Sequence, residues 1–252
     1  MRTAWAFFPL WLGYCLTVDA LTHLRAGSSM LTRNPKGYAL LFLFSFPTWW
    51  VFELFNLRTQ NWIYLGEVPF SNITLALLAS LSFSVVMPAV FGTVELVGTL
   101  PWFRKPAKWI VIRPVKRTLN ILYVLGCAMV CLVMVWPRYF FPFVWSGVYC
   151  ILEPVNYSLR FDSLLTYTST GRWKPILQLW LGCLVCGFFW EMWNYYSYPK
   201  WIYDIPYVGF AHIFEMPLLG YLGYFTFALE LYALYQFIAG VLKLRNKCVF
   251  LV

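Results

Sequence analysis

Seven apolar runs separated by short polar or proline-bearing clusters make up most of the chain: residues 4–22, 38–57, 71–100, 119–136, 139–157, 175–197 and 208–241. A helix needs about 20 predominantly apolar residues to cross the hydrocarbon layer. Runs of this length and number predict an all-α polytopic membrane protein with about seven transmembrane helices. The third and last runs are longer than one straight crossing. Pro88 is placed to kink the third, or its first part lies at the membrane interface. Pro206 and Pro217 divide the approach to the last.

The same pattern occurs twice. Glu53-x-x-Asn56 followed by Trp62-Ile63-Tyr64 matches Glu191-x-x-Asn194 followed by Trp201-Ile202-Tyr203. Phe7-Phe8-Pro9 resembles Phe140-Phe141-Pro142. Asp19 corresponds to Glu153, Ser29 to Ser163, and Glu95 to Glu230. A pattern repeated in order points to duplication. The reading is therefore a first three-helix repeat over 1–100, a basic loop and linker helix over 101–138, and a second three-helix repeat over 139–252. Four crossings separate equivalent spans, so the two copies run parallel and can pack as similar halves around a shared site.

Charge adds an orientation. Fifteen of the nineteen lysines and arginines fall in alternate loops (Arg25 to Lys36, Arg104 to Arg117, Arg160 to Lys174, and after span seven). The positive-inside rule then places the N-terminus outside and the C-terminus in the cytoplasm, in a plasma or inner membrane. The first run, following Arg2, has the look of a signal peptide, but it takes part in the repeat. The chain is 61% hydrophobic and 12% charged, against about 25% charged in soluble domains. Its net charge of +9 belongs to these loops, so no nucleic-acid partner is expected. Membrane lipids are.

Seven of the ten acids lie in or at the ends of apolar runs: Asp19, Glu53, Glu95, Glu153, Glu191, Glu215 and Glu230. No base sits in a span centre. An ionisable group at membrane depth is costly and marks a functional site by default. Without a cation, a buried carboxyl stays protonated and can donate a proton. The same carboxyls can instead bond across helices and hold a bundle together. Glu and Asn at i and i+3 share a helix face, so Asn194 and Asn56 are placed to orient Glu191 and Glu53. Trp62, Tyr64, Trp201 and Tyr203 suit an interfacial aromatic belt. Aromatic faces also stabilise cations by about 0.5–2 kcal/mol each, and aromatics are 21% of this chain.

Other chemistry is thinly represented. Cys183-Leu-Val-Cys186 has redox or metal spacing without a second ligand pair, and reads as helix packing. His23 and His212 fall at opposite membrane boundaries, so no shared metal is expected. Asn72-Ile-Thr74 is a glycosylation sequon on the predicted outer side. No phosphate loop, nucleotide fingerprint, Ser-His-Asp set or haem ligand pair occurs. No cofactor is expected.

Trp190-Glu191, Trp201-Ile-Tyr203 and Ile213-Phe214-Glu215-Met216-Pro217 follow one another as an aromatic–acid pair, a Trp-x-Tyr and an acidic segment at the next helix. In this order, and in the tandem three-span plan, the chain resembles the integral-membrane lycopene cyclases. It departs from that pattern at Glu215, which stands alone where the family has paired acids, and at Val68-Pro69-Phe70-Ser71, where no acid follows the proline. The resemblance implies redox-neutral, acid-catalysed cyclisation or isomerisation of a lipophilic isoprenoid or carotenoid. Glu215 would then be the proton donor. Glu191 with Asn194 would be partner or base, and Glu53 with Asn56 the equivalent pair. Trp190, Trp193, Trp201, Tyr203, Glu230 and Glu95 would line the substrate site, with the chemistry in the second copy. The alternative is a non-enzymatic carrier of lipid, pigment or ion, or a subunit of a homo-oligomer or larger membrane complex.

Overall fold

The computed structural model describes residues 5–66, 71–104 and 109–244. Val68-Pro69-Phe70 and the basic residues Arg2, Lys105, Lys108, Arg245 and Lys247 lie outside them. Helices dominate. The first half holds α1 (Phe7–Ala26), α2 (Met30–Arg33), α3 (Pro35–Thr59), the strand β1 (Trp62–Leu65), α4 (Asn72–Phe83), α5 (Val86–Gly98) and α6 (Pro101–Arg104). Then come α7 (Lys116–Val135) and α8 (Pro137–Phe140). The second half holds α9 (Val144–Ser158), α10 (Leu164–Thr168), α11 (Lys174–Tyr195), β2 (Lys200–Tyr203), β3 (His212–Ile213), β4 (Met216–Pro217) and α12 (Gly223–Val241).

Among the described residues, five helical stretches are long and apolar enough to cross a membrane: Pro35–Thr59, Asn72–Gly98, Lys116–Val135, Lys174–Tyr195 and Leu218–Val241. This fits an all-α membrane protein. Helices also form at the first and fifth expected positions. α1, however, carries Thr17, Asp19, Thr22 and His23 in its second half. α9 has 15 residues, about 22 Å of helix, because residues 137–143 form a short helix and a 3-10 turn before it. The last run also begins helical structure later than its hydropathy predicts. Residues 205–217 form loop and the small β3–β4 hairpin, and a 3-10 turn starts after Pro217.

The third run is two helices, broken before Pro88. Ser84 and Val85 form the break. Pro88 falls in the first turn of α5, where a missing N–H has no helical partner to lose. A serine from another helix supports the break. The Ser45 hydroxyl on α3 donates to the Phe83 carbonyl at 2.6 Å and accepts from the Met87 N–H at 3.1 Å. One side chain thus satisfies a loose carbonyl at the end of α4 and a loose amide at the start of α5.

Small residues bring helices together, as is usual where lipid replaces water outside. A Cβ on Gly126 of α7 would lie 2.7 Å from the Gly147 carbonyl of α9. One on Gly182 of α11 would lie 2.6 Å from Val94 Cα on α5. α5 is buried throughout Val86–Val94, and α11 joins it across the two halves. α4 differs: none of its twelve residues is buried.

Equivalent elements of the two halves make equivalent contacts. Asp19 on α1 accepts from the Ser29 hydroxyl at 2.7 Å and the Leu31 N–H at 3.0 Å. Glu153 on α9 accepts from the Leu165 N–H at 2.7 Å. Ser29 and Ser163 each cap the short helix that follows. The carboxyl thus anchors the next turn of chain in both copies. β1 and β2 pair antiparallel in the register Trp62–Tyr203, Ile63–Ile202, Tyr64–Trp201 and Leu65–Lys200.

Glu95 and Glu230 are not equivalent in space. Glu95 accepts from the Met30 N–H at 3.1 Å and pairs with Arg33. Its counterpart is Tyr232, which hydrogen-bonds Tyr167 at the position matching Arg33. Glu230, fully buried, lies against Val148 and Tyr149 of α9. In the first half Thr93 holds that place, 2.7 Å from the Tyr14 hydroxyl of α1. The sequence pairing placed the register off by about half a turn of helix.

Candidate functional site

Each repeat ends its second long helix in the same way. At the end of α3, the Asn56 amide donates to the Trp62 carbonyl at 2.8 Å and accepts from the Trp62 N–H at 3.2 Å. At the end of α11, Asn194 does the same to Trp201, at 2.7 and 2.9 Å. The amides therefore fix the start of each strand. They do not orient the carboxyls, as their spacing had predicted.

The carboxyls are held by the aromatic residues of the strands. Glu53 Oε1 accepts from the Tyr64 hydroxyl at 2.6 Å, the Trp49 indole at 3.0 Å and the Trp62 indole at 3.1 Å. Glu191 Oε1 accepts from the Tyr203 hydroxyl at 2.7 Å and the Tyr224 hydroxyl at 2.6 Å. Tyr203 in turn accepts from the Trp201 indole at 2.8 Å. Burial, and then the adjoining Glu191 carboxyl, push the Tyr203 hydroxyl well above the ordinary tyrosine range, so it stays a donor. The Trp62 indole and the Tyr64 and Tyr203 hydroxyls thus turn to carboxyls, and the Trp201 indole to the Tyr203 hydroxyl.

Between the halves lies a cavity of about 1230 Å³. This exceeds the usual ~300–1,000 Å³ of small-molecule pockets. Both repeats line it, with Trp49, Trp62, Trp145, Trp190, Trp201 and Phe227 among its walls. The aromatic walls touch one another across the halves. Trp49 and Trp190 have ring centroids 5.5 Å apart, and Trp62 and Trp145 lie at 5.9 Å. Trp193, Asn194 and Tyr203 also line the cavity, as does Glu53. Glu191 does not: it is 0% exposed and sits behind Tyr203 and Tyr224, which do. All three donors to Glu53 converge on Oε1, and Oε2 takes none of them. The site therefore spans both copies, and among the described residues its one lining carboxyl belongs to the first.

Glu215 is not the uncompensated acid that its apolar surroundings predicted. It forms an ion pair with Lys200, whose ammonium also lies 5.3 Å from the Tyr195 ring centroid. Glu215 is not part of the cavity wall, although Lys200 is. Glu95, Glu230 and Asn56 are also absent from the wall. Cys183 and Cys186 are both buried and unpaired. Among the described residues, no three His, Cys, Asp or Glu side chains converge as metal ligands.

Two of the residues that bond the carboxyls were not singled out from sequence, nor were the wall residues Trp145 and Phe227. Trp49 precedes Glu53 by one helical turn, so its contact was open to an i, i+4 argument. Tyr224 comes from another helix, and only the space over Gly187 admits it: a Cβ there would lie 2.7 Å from Tyr224 Cζ. No protein-family model, curated protein or solved structure matches the chain.

Proposed function

We propose that this protein binds an elongated, unsaturated lipophilic molecule of the isoprenoid type between its repeats and converts it by acid-initiated, redox-neutral cyclisation. The observation that carries this reading is Glu53: one carboxyl in the wall of a large aromatic cavity, with one oxygen gripped by three donors and the other free. Oε2 carries the proton and delivers it to a terminal alkene carbon. The carboxylate left behind is already solvated by Trp49, Trp62 and Tyr64, which is electrostatic preorganisation. The resulting carbocation lies against indole faces such as Trp49, Trp145 and Trp190, each contributing about 0.5–2 kcal/mol. An internal alkene closes the ring, and loss of a ring proton restores neutrality. No electrons enter or leave. The order of motifs shared with membrane lycopene cyclases supports the same chemistry. In this reading the chain lies in a plasma or inner membrane with its strand end outside.

Two measurements on purified protein test it. Bound lipids are extracted and identified by mass spectrometry, and lycopene or squalene is supplied in D2O. The expected result is an isoprenoid in the extract and a cyclised product carrying solvent deuterium. Binding without conversion would leave a carrier, and an extract and assay both empty of isoprenoid would overturn the reading.

A further inference from the structure

Cyclisation needs a base as well as an acid, and Glu53 accounts only for the acid. Resting on the reading above, we infer that Tyr224 is the group that removes the ring proton, with Glu191 behind it as the final acceptor. Tyr224 lines the cavity, and its hydroxyl donates to Glu191 Oε1 at 2.6 Å. Glu191 is 0% exposed, and its Oε2 has no partner among the described residues. It cannot reach a ligand directly. Whatever it exchanges with the cavity passes through a hydroxyl.

Two tyrosines touch Glu191, and their oxygens differ. The Tyr203 oxygen already accepts the Trp201 indole N–H at 2.8 Å. Among the described residues no donor reaches the Tyr224 oxygen, so its lone pairs are free to take a proton. The backbone has made room for this ring at Gly187, where a methyl group would collide with it. In the first repeat the corresponding turn of α3 carries Trp49, whose indole bonds Glu53 directly. The two copies have therefore become different devices. One presents a carboxyl to the cavity, and the other presents a hydroxyl backed by a carboxylate.

The step balances. The ring C–H bond breaks, and its electron pair forms the new alkene and quenches the cation. The proton goes to the Tyr224 oxygen as Tyr224's own proton passes to Glu191 Oε1. Tyr224 stays neutral and Glu191 becomes the acid. The proton gained there cancels the one lost from Glu53, and exchange with water at the strand end resets the pair.

The test uses the full chain in nanodiscs with lycopene as probe. Binding is read from tryptophan quenching and turnover from deuterated product. Tyr224→Phe is expected to lower turnover about 100-fold, the usual scale of general base catalysis, with the lycopene dissociation constant unchanged. Gly187→Ala should reproduce that loss. Tyr221→Phe, which removes a hydroxyl that donates to the Ile213 carbonyl but keeps the ring packed 5.9 Å from that of Tyr224, should keep wild-type turnover. If wild type turns over and Tyr224→Phe matches it, the inference fails while the cyclisation reading stands. If wild type binds lycopene without converting it, the cyclisation reading fails and takes the inference with it.

Discussion

Ile63 lies directly opposite Ile202 in the β1–β2 pair. The two are the middle residues of the duplicated Trp-Ile-Tyr motif, so each copy pairs with its own image. Equivalent strands that meet antiparallel at a common centre are related by a local two-fold axis through that centre. Trp62, Tyr64, Trp201 and Tyr203 of these two strands all line the cavity, so both repeats contribute walls.

The asparagine clamps should be structural. Asn56→Ala and Asn194→Ala each strip two hydrogen bonds from a tryptophan backbone, at about 1–3 kcal/mol for each buried group left unsatisfied. Thermal unfolding in detergent should show the loss, and amide exchange should quicken first at residues 62–65 and 200–203. Unchanged protection there would mean that the clamps do not hold the strands.

Glu53→Gln keeps the three donors within reach of a carbonyl oxygen but removes the acidic proton. Turnover of lycopene should fall by about 100-fold or more, while bound lipid extracted from the variant remains that of the wild type. Equal loss of binding and turnover would make Glu53 a ligand contact only.

Gly126→Val pushes a side chain into the Gly147 carbonyl, against which even a Cβ lies at 2.7 Å. Overpacking of this kind costs about 1–3 kcal/mol, read as a lower melting temperature. α7 is also tied to α3, because the Arg58 guanidinium donates to the Met134 and Val135 carbonyls at 2.8 and 3.3 Å. Strain at Gly126 should therefore be felt at the end of α3 as well.

Lys200→Met leaves Glu215 without its cation. Both side chains keep about a fifth of their surface exposed (23% and 20%), so solvent screens the pair, and the cost should be about 1 kcal/mol or less. The double variant Lys200→Met, Glu215→Gln should recover most of it. A non-additive result in that cycle measures the pair itself.

Local repetition made part of this site readable. Glu-x-x-Asn and Trp-x-Tyr recur at nearly constant separation, and in each copy the Tyr bonds the carboxyl while the Asn clamps the Trp backbone. What escaped depends on a partner far along the chain. Nothing local tells Glu215 from a lone buried acid, since Lys200 reaches it only after β2 and the β3–β4 hairpin fold back. Nothing local marks Ser84 as a helix end either, because Ser45 on α3 supplies the compensating bonds. Glu95 and Glu230 show the opposite failure. Both sit in a Val-Glu-Leu or Leu-Glu-Leu setting, and that likeness hid a shift in helix register.

α4 has consequences for selectivity. It lines the cavity through Leu75, Ala76, Leu78, Ala79, Ser82 and Phe83, while Ile73, Leu77 and Leu81 on the same helix are 75%, 67% and 44% exposed. Among the described residues, α4 alone forms that side of the cavity, with apolar residues on the inner face and on the exposed face that would meet hydrocarbon in a membrane. For an occupant arriving from the bilayer, the reference state is oil. The ~25 cal/mol per Å² gained by leaving water is collected when a molecule enters the membrane, and none of it remains to favour the cavity. Every lipid tail competes on equal terms there. Under the proposed function, discrimination falls to what most tails lack: a run of alkenes that can take a proton from Glu53 and lie along the indole faces of Trp49 and Trp190.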